Sequence, residues 1–198
     1  MSVKKSVGLL GLAMVSMLSL NSFAQGNEKK FGFELCPGAS FPTRNLYDAE
    51  LKTGYGFEGM FHYWFLPHTG VYAGWGWNKI AADESFAGNN MDFEETGYIF
   101  GVQYRHLLGN SSTSFFVRAG GLYNHIEIED KDGNITEDTG HGFGWQVAGG
   151  LDIPLGRNWS LTPGIKFNAL SRDLVIEGTS KQLILNYVSV RAGITKKF

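Results

Sequence analysis

Between residues 53 and 65 the chain reads TGYGFEGMFHYWF, where Tyr55, Phe57, Phe61, Tyr63 and Phe65 alternate with Gly54, Gly56, Glu58, Met60 and His62. A period of two sends successive side chains to opposite faces of a strand. One face is therefore aromatic, and the other carries glycine, a carboxylate and an imidazole. An all-aromatic face exposed to water would aggregate, and burying the opposite face in an apolar core would strand its carboxylate. Few environments suit both faces at once.

The same alternation recurs in FGFELCPGA (31–39), GVYAGWGWN (70–78), TGYIFGVQYRH (96–106), FFVRAGGLYN (115–124), FGWQVAGGLDI (143–153), WSLTPGIKFNA (159–169) and NYVSVRAGITKKF (186–198). None of these segments has a helical period, so the chain is all-β with eight predicted strands. Three connections, 67–70, 109–112 and 155–158, are tight and rich in turn residues. The other four, near 41–52, 80–93, 129–141 and 171–181, are read as long loops. Antiparallel neighbours then place short turns at one end and long loops at the other, as in an up-and-down transmembrane barrel.

Charge distinguishes the faces. Glu34, Glu58, Arg105, Arg118, Asp152, Lys166 and Arg191 share one face, three acids against four bases, while the opposite face is nearly uncharged. Near-balance is what a closed lumen requires, because an unpaired buried charge is costly. The chain has 27 glycines in 198 residues, about twice the average usage of about 7%. In the strands they crowd onto the charged face, with Gly59, Gly121 and Gly149 on the aromatic one. Small residues suit the concave side of a tightly curved sheet, so the charged face is the inside. Eight strands enclose room for side chains rather than an open pore. The seven charges are expected to pair across this packed polar lumen. Aromatic side chains near strand ends, Tyr63, Phe65, Tyr104, Trp159 and Phe198 at one end and Trp77, Tyr98 and Tyr123 at the other, are expected to form interfacial girdles.

The front of the chain supplies a route to a membrane. Lys4 and Lys5 precede the apolar run VGLLGLAMVSMLSL, and small residues at Ser22 and Ala24 fit cleavage before Gln25. A 14-residue run is too short for a spanning helix. Residues 1–24 are expected to be a cleaved signal peptide and residues 25–198 a single barrel domain. Without Lys4 and Lys5 the net charge moves from −2 to −4, and no basic run suggests nucleic acid. The lone Cys36 cannot make an internal disulfide.

The signal peptide, a first strand running into GASFP (38–42), eight alternating strands and the final Phe198 together resemble the small porin-like outer-membrane β-barrel family, eight-stranded and of the outer membrane protein A and X type. The resemblance spans residues 25–198. It implies an outer-membrane location with both ends of the chain periplasmic. Outer-membrane lipid and lipopolysaccharide would surround the barrel, and periplasmic chaperones and the β-barrel assembly machinery would handle it during biogenesis. It also implies an assembly signal in which Phe198 is preceded at alternate positions by Ile194, Ala192 and Val190. Lys196 departs from that pattern, because an apolar or aromatic residue usually stands there.

Other motifs carry less. GYGFEG (54–59) matches a dinucleotide fingerprint but continues a strand instead of opening a helix. DKDGN (130–134) has two acids at calcium-loop spacing, but its glycine comes early and the closing glutamate is absent, so it reads as a polar hairpin tip. Histidines 62, 68, 106, 125 and 141 form no spaced pair in the sequence. Asp83, Glu84, Asp92, Glu129, Asp130, Asp132, Glu137 and Asp138 could hold divalent cations against lipopolysaccharide but read as solvated loop acids. No catalytic, cofactor or metal residue is expected. The chain is expected to be a monomeric, non-enzymatic barrel with a structural or surface-interaction role. The alternatives are a narrow channel for small solutes and, third, a lipid-modifying barrel enzyme.

Overall fold

A computed structural model describes residues 29–176 and 179–198. The expected signal peptide, 1–24, lies outside the described residues. The described chain is a single antiparallel sheet with no helix: β1 (Phe31–Pro42), β2 (Gly54–Trp64), β3 (Thr69–Ser85), β4 (Gly88–Leu107), β5 (Ser114–Glu129), β6 (Ile135–Asp138), β7 (Gly142–Gly156), β8 (Trp159–Ile176) and β9 (Thr179–Lys197). Each long strand pairs with its neighbours in sequence, and β9 pairs with β1 from Gly32↔Lys197 to Pro42↔Tyr187. That last pairing closes an eight-stranded ring, to which β6 is added on the edge of β5. Closure removes the free edges that an open sheet would present.

All eight predicted strands are present, and their predicted faces hold. Gly32, Glu34 and Cys36 are buried while Phe31 and Leu35 are exposed, and the same parity runs around the ring. Small residues inside let the walls approach. At Gly120, facing Gly101 across β4 and β5, a Cβ would run into the Phe100 carbonyl and the Tyr72 hydroxyl. The turn between β7 and β8 is two residues long, and Arg157 (φ 49°) and Asn158 (φ 68°) both take the left-handed conformation such hairpin turns require.

The long loops need correcting. Segment 80–93 is mostly strand, because β3 and β4 run on to a two-residue turn at Phe86 and Ala87. Segment 171–181 is likewise crossed by β8 and β9, and 129–141 contains an additional short strand, β6. The period of two continues through these segments but the polarity reverses. Beyond Asn78, Ile80 and Ala82 point inward and Lys79 points outward. A strand followed by its aromatic face alone is lost to view where that face turns polar. Of the four long connections, 43–53 is the one that holds no named strand among the described residues, and it folds back into the mouth of the barrel. There Leu46 and Ala49 are fully buried and bond each other's backbones at 3.0 and 3.1 Å.

Candidate functional site, the closed lumen

The interior has two storeys. At the short-turn end it is polar, as the charge pattern implies. Glu34 of β1 is fully buried and accepts from Arg118 Nη2 at 2.6 Å and from Thr162 Oγ1 at 2.7 Å. His62 Nε2 lies 3.0 Å from the same carboxylate, and Nδ1 lies 3.0 Å from Gln103 Oε1. The Arg118 guanidinium also lies over the Phe116 ring at 4.3 Å. Lys166 of β8 donates to Glu58 of β2 across the barrel. Asp152 accepts from Lys197 at 2.6 Å and faces Arg105 at 3.5 Å. Apart from the His62–Glu34 contact between neighbouring β2 and β1, these bonds join strands that are not neighbours, so the charges fill the lumen like struts.

Arg191 departs from the expected pairing. It lies in the lumen but donates to the Cys36 carbonyl at 3.2 Å, with no direct acid partner among the described residues. Three luminal charges were missed from the sequence. Glu95 accepts from Tyr187 and Asn124, and Arg172 donates to the carbonyls of Asn124, Phe143, Ser171 and Gly142. The third is Lys197, on Asp152. Glu95 and Arg172 lie just past the predicted strand ends at 96 and 169. Extending the alternation by one residue and by three would have found them.

Above this layer the lumen turns apolar. Ile80, Phe93, Leu122, Ile126, Ile128, Leu183 and Leu185 are fully or almost fully buried, and Leu46 and Ala49 of the inturned loop pack into them. This corrects the expectation of a lumen polar throughout. The physical reason is the medium outside, since these strands stand beyond the girdle with water on their outer face. A mouth of about 580 Å³ opens at the short-turn end beside Lys29, Lys30, Trp64, Arg105, Asp152 and Lys197. Past it, between Gln103, Arg118 and Thr162, the free volume is only about 20 Å³. That is room for about one water.

The outside divides at the same height. From the short-turn end up to Trp77, Tyr98 and Tyr123 the outer surface is aromatic and aliphatic, with Ile165 61% and Val190 53% exposed. Phe31 to Phe41, tilted as barrel strands are, spans about 25 Å, which matches the apolar band of such barrels. At the lower rim Lys196 lies over the Trp159 ring at 4.8 Å and donates to the Arg157 carbonyl. Its charge sits at the interface, which accommodates the departure noted at that position.

Above the upper girdle the outer face is a polar collar. Lys79 of β3 lies 2.9 Å from each of Asp92 and Glu94 on β4 and Glu129 on β5. Partial burial pulls its pKa down, but the bonds to Glu94, Asp92 and Glu129 outweigh this and hold the amine above its ordinary value. Burial, with the nearby Asp138, Glu94 and Glu129 carboxylates, pushes Glu127 up. At the tip, Asp130 accepts from the backbone of Asp132 and Asn134, so DKDGN closes a hairpin turn. Four of the five histidines, unpaired by spacing, are paired by the fold: His125 stacks on His141 with centroids 4.3 Å apart, and His68 lies 4.8 Å from His106.

A ring of eight strands with a greasy belt and a polar filling is an outer-membrane architecture. The sequence matches the family described as outer membrane protein beta-barrel domain over residues 10–194. The chain belongs to that family. Comparison with curated proteins finds no match. Among solved structures the fold is similar to Neisserial surface protein A (12% identity, TM-score 0.61, covering 88% of this chain and 100% of that one). It is also similar to OprG of Pseudomonas aeruginosa (14%, 0.55, 86% and 97%) and to outer membrane protein W of E. coli (14%, 0.51, 87% and 100%). At these identities the likeness concerns the fold. The chain is an outer-membrane β-barrel.

Proposed function

We propose that this barrel is a non-enzymatic integral outer-membrane protein whose lumen is closed, and that its role is structural or a surface interaction made by the long hairpins. The observation that carries this reading is the filling of the lumen. Cross-barrel ion pairs occupy one storey and aliphatic side chains the other, with space for about one water between the lower mouth and the Glu34–Arg118 pair. The inturned segment bearing Leu46 and Ala49 plugs the opposite end. A solute would have to displace one of these layers. Nothing in the sequence places a serine two residues after a histidine, as the lipid-modifying alternative would want.

In this reading residues 1–24 are removed on export, the short turns and both chain ends face the periplasm, and the long hairpins stand outside. The belt meets lipid and lipopolysaccharide, and the protein works as a monomer. Phe198, with Ile194, Ala192 and Val190, addresses the chain to periplasmic chaperones and the barrel assembly machinery. Planar-bilayer recording of refolded protein tests the closed lumen. Silence at moderate voltage is expected, whereas steady single-channel steps would favour a narrow solute channel.

A further inference from the structure

The collar above the upper girdle contains a group of side chains whose chemistry differs from that of its acidic neighbours. His125 and Glu127 stand two residues apart on the outer face of β5. Asp138 of β6 is the residue paired directly with Glu127. His125 Nδ1 lies 2.9 Å from Asp138 Oδ1 and 3.9 Å from Glu127 Oε1, and the three donor atoms all fall within 4.8 Å of one another. Donors about 2.0–2.2 Å from a tetrahedral ion stand about 3.4 Å apart, so these separations bracket what such an ion requires.

The surroundings hold the donors in place. The Gly140 N–H donates to Asp138 Oδ1 at 2.8 Å, fixing the carboxylate with Oδ2 left over. His141 lies flat against His125, their planes 18° apart, and its ring is 5.3 Å from that of Tyr123. One side is thus walled by imidazole and the aromatic girdle, while the other side opens to solvent, leaving a coordination position for water. Glu94 and Glu129 add carboxylate charge from the same outer face.

We propose that His125, Glu127 and Asp138 form a binding site for one borderline divalent transition-metal ion of the Zn²⁺ type. The imidazole is what selects the class. Three oxygens would suit calcium or magnesium, whereas one neutral nitrogen with two carboxylates suits zinc and its neighbours. Two of the donors come from β5 and the third from β6, so a bound ion would pin the short β6 to the barrel wall. That position is just above the lipid belt, where the chain crosses from β6 to β7.

The test is a calorimetric Zn²⁺ titration of the untagged mature barrel in detergent, with heat-dependent gel mobility verifying the fold of every variant. One Zn²⁺ per barrel is expected, weakened at least tenfold by His125→Ala and by Asp138→Asn, as loss of a ligand should do. Asp132→Asn, at the tip of the same hairpin, should bind as the wild type does, and millimolar Mg²⁺ should not displace the ion. His125→Gln keeps a polar side chain of similar bulk and guards against a merely structural effect; it too should lose Zn²⁺ while folding normally. The proposal is overturned if no saturable site is found, if a folded His125→Gln variant keeps wild-type affinity, or if Mg²⁺ competes as well as Zn²⁺.

Discussion

Ile165 and Asp173 stand on the same outer face of β8, and both are exposed. Behind them, Lys166 and Leu174 stand on the inner face, and both are buried. Within eight residues of one strand, apolar-out and charged-in becomes charged-out and apolar-in. β3 makes the same exchange between Trp77 and Lys79 outside and between Asn78 and Ile80 inside. Backbone pairing runs through the boundary undisturbed, from Ile165↔Val190 to Leu174↔Lys181. What changes is the solvent. In the lower half lipid takes the aromatic face, so the interior must be held by directed bonds. In the upper half water surrounds the strands, and the interior is held as in a soluble protein, by removing aliphatic surface from water. The two halves should answer the same kind of substitution differently.

The largest effect should come from breaking a strut of the lower half. Glu58→Gln leaves the buried Lys166 ammonium without its counter-charge. Removing one member of such a pair costs about 3–5 kcal/mol. Urea unfolding of barrel refolded into lipid vesicles should show a loss of that size, against little change for Asp132→Asn at the exposed hairpin tip. Equal losses at the two sites would mean that the lower lumen is wet and open.

The matching test in the upper half removes volume instead of charge. Leu185 of β9 is 1% exposed and belongs to the aliphatic storey. Leu185→Ala should cost about 2–5 kcal/mol through lost burial and the cavity left behind. A loss below that range in the same urea assay would show that the upper storey is loosely packed, and the comparison between halves would fail.

Arginine placed on the outer face locates the boundary itself. Val190→Arg, in the belt, should cost about 2–4 kcal/mol, the range for arginine near the midplane of these barrels. Asp173→Arg, outward on the same hairpin but above the girdle, should stay within about 0.5 kcal/mol, as surface changes do. Similar costs at both positions would place the membrane edge elsewhere. Ser189→Arg adds a check on the faces, because an inward arginine beside Val190 should cost less than the lipid-facing one unless it overfills the lumen.

The barrel was legible because its strands repeat one signal, and a period of two survives any uncertainty in strand ends. Face assignment followed from charge and glycine together. Strand length was misread at 80–93 and 171–181, where the outward residues change from Trp77 to Lys79 and from Ala169 to Ser171 and Asp173. There polarity stops reporting which way a residue points and reports only which solvent it meets. Glu95 and Arg172 were lost with those strand ends. The His125, Glu127 and Asp138 cluster, and the stack on His141, depend on β5, β6 and β7 lying side by side, which spacing along the chain does not encode.

The smallest loss of stability should come from Phe198, at the seam where the lower half closes. Its backbone bonds Phe31 in both directions, at 2.9 and 3.2 Å, so the pairing of β9 with β1 extends to this residue. The ring belongs to the girdle expected from the sequence and is half-buried, and losing one such ring costs about 1–3 kcal/mol. That is less than either the Glu58 strut or the Leu185 cavity should cost, because water and headgroups already share the site. Deleting Phe198 should therefore leave refolding of purified protein in detergent largely intact. In cells the outcome should differ if assembly machinery reads this aromatic with Ile194, Ala192 and Val190, since recognition comes before any barrel exists to be stable. The measurement is heat-modifiable barrel in the outer-membrane fraction, which should fall sharply for the deletion and recover with Phe198→Tyr. Wild-type levels in the deletion strain would reduce Phe198 to a strand residue, and a failure to refold in detergent would make it a structural keystone of the lower half.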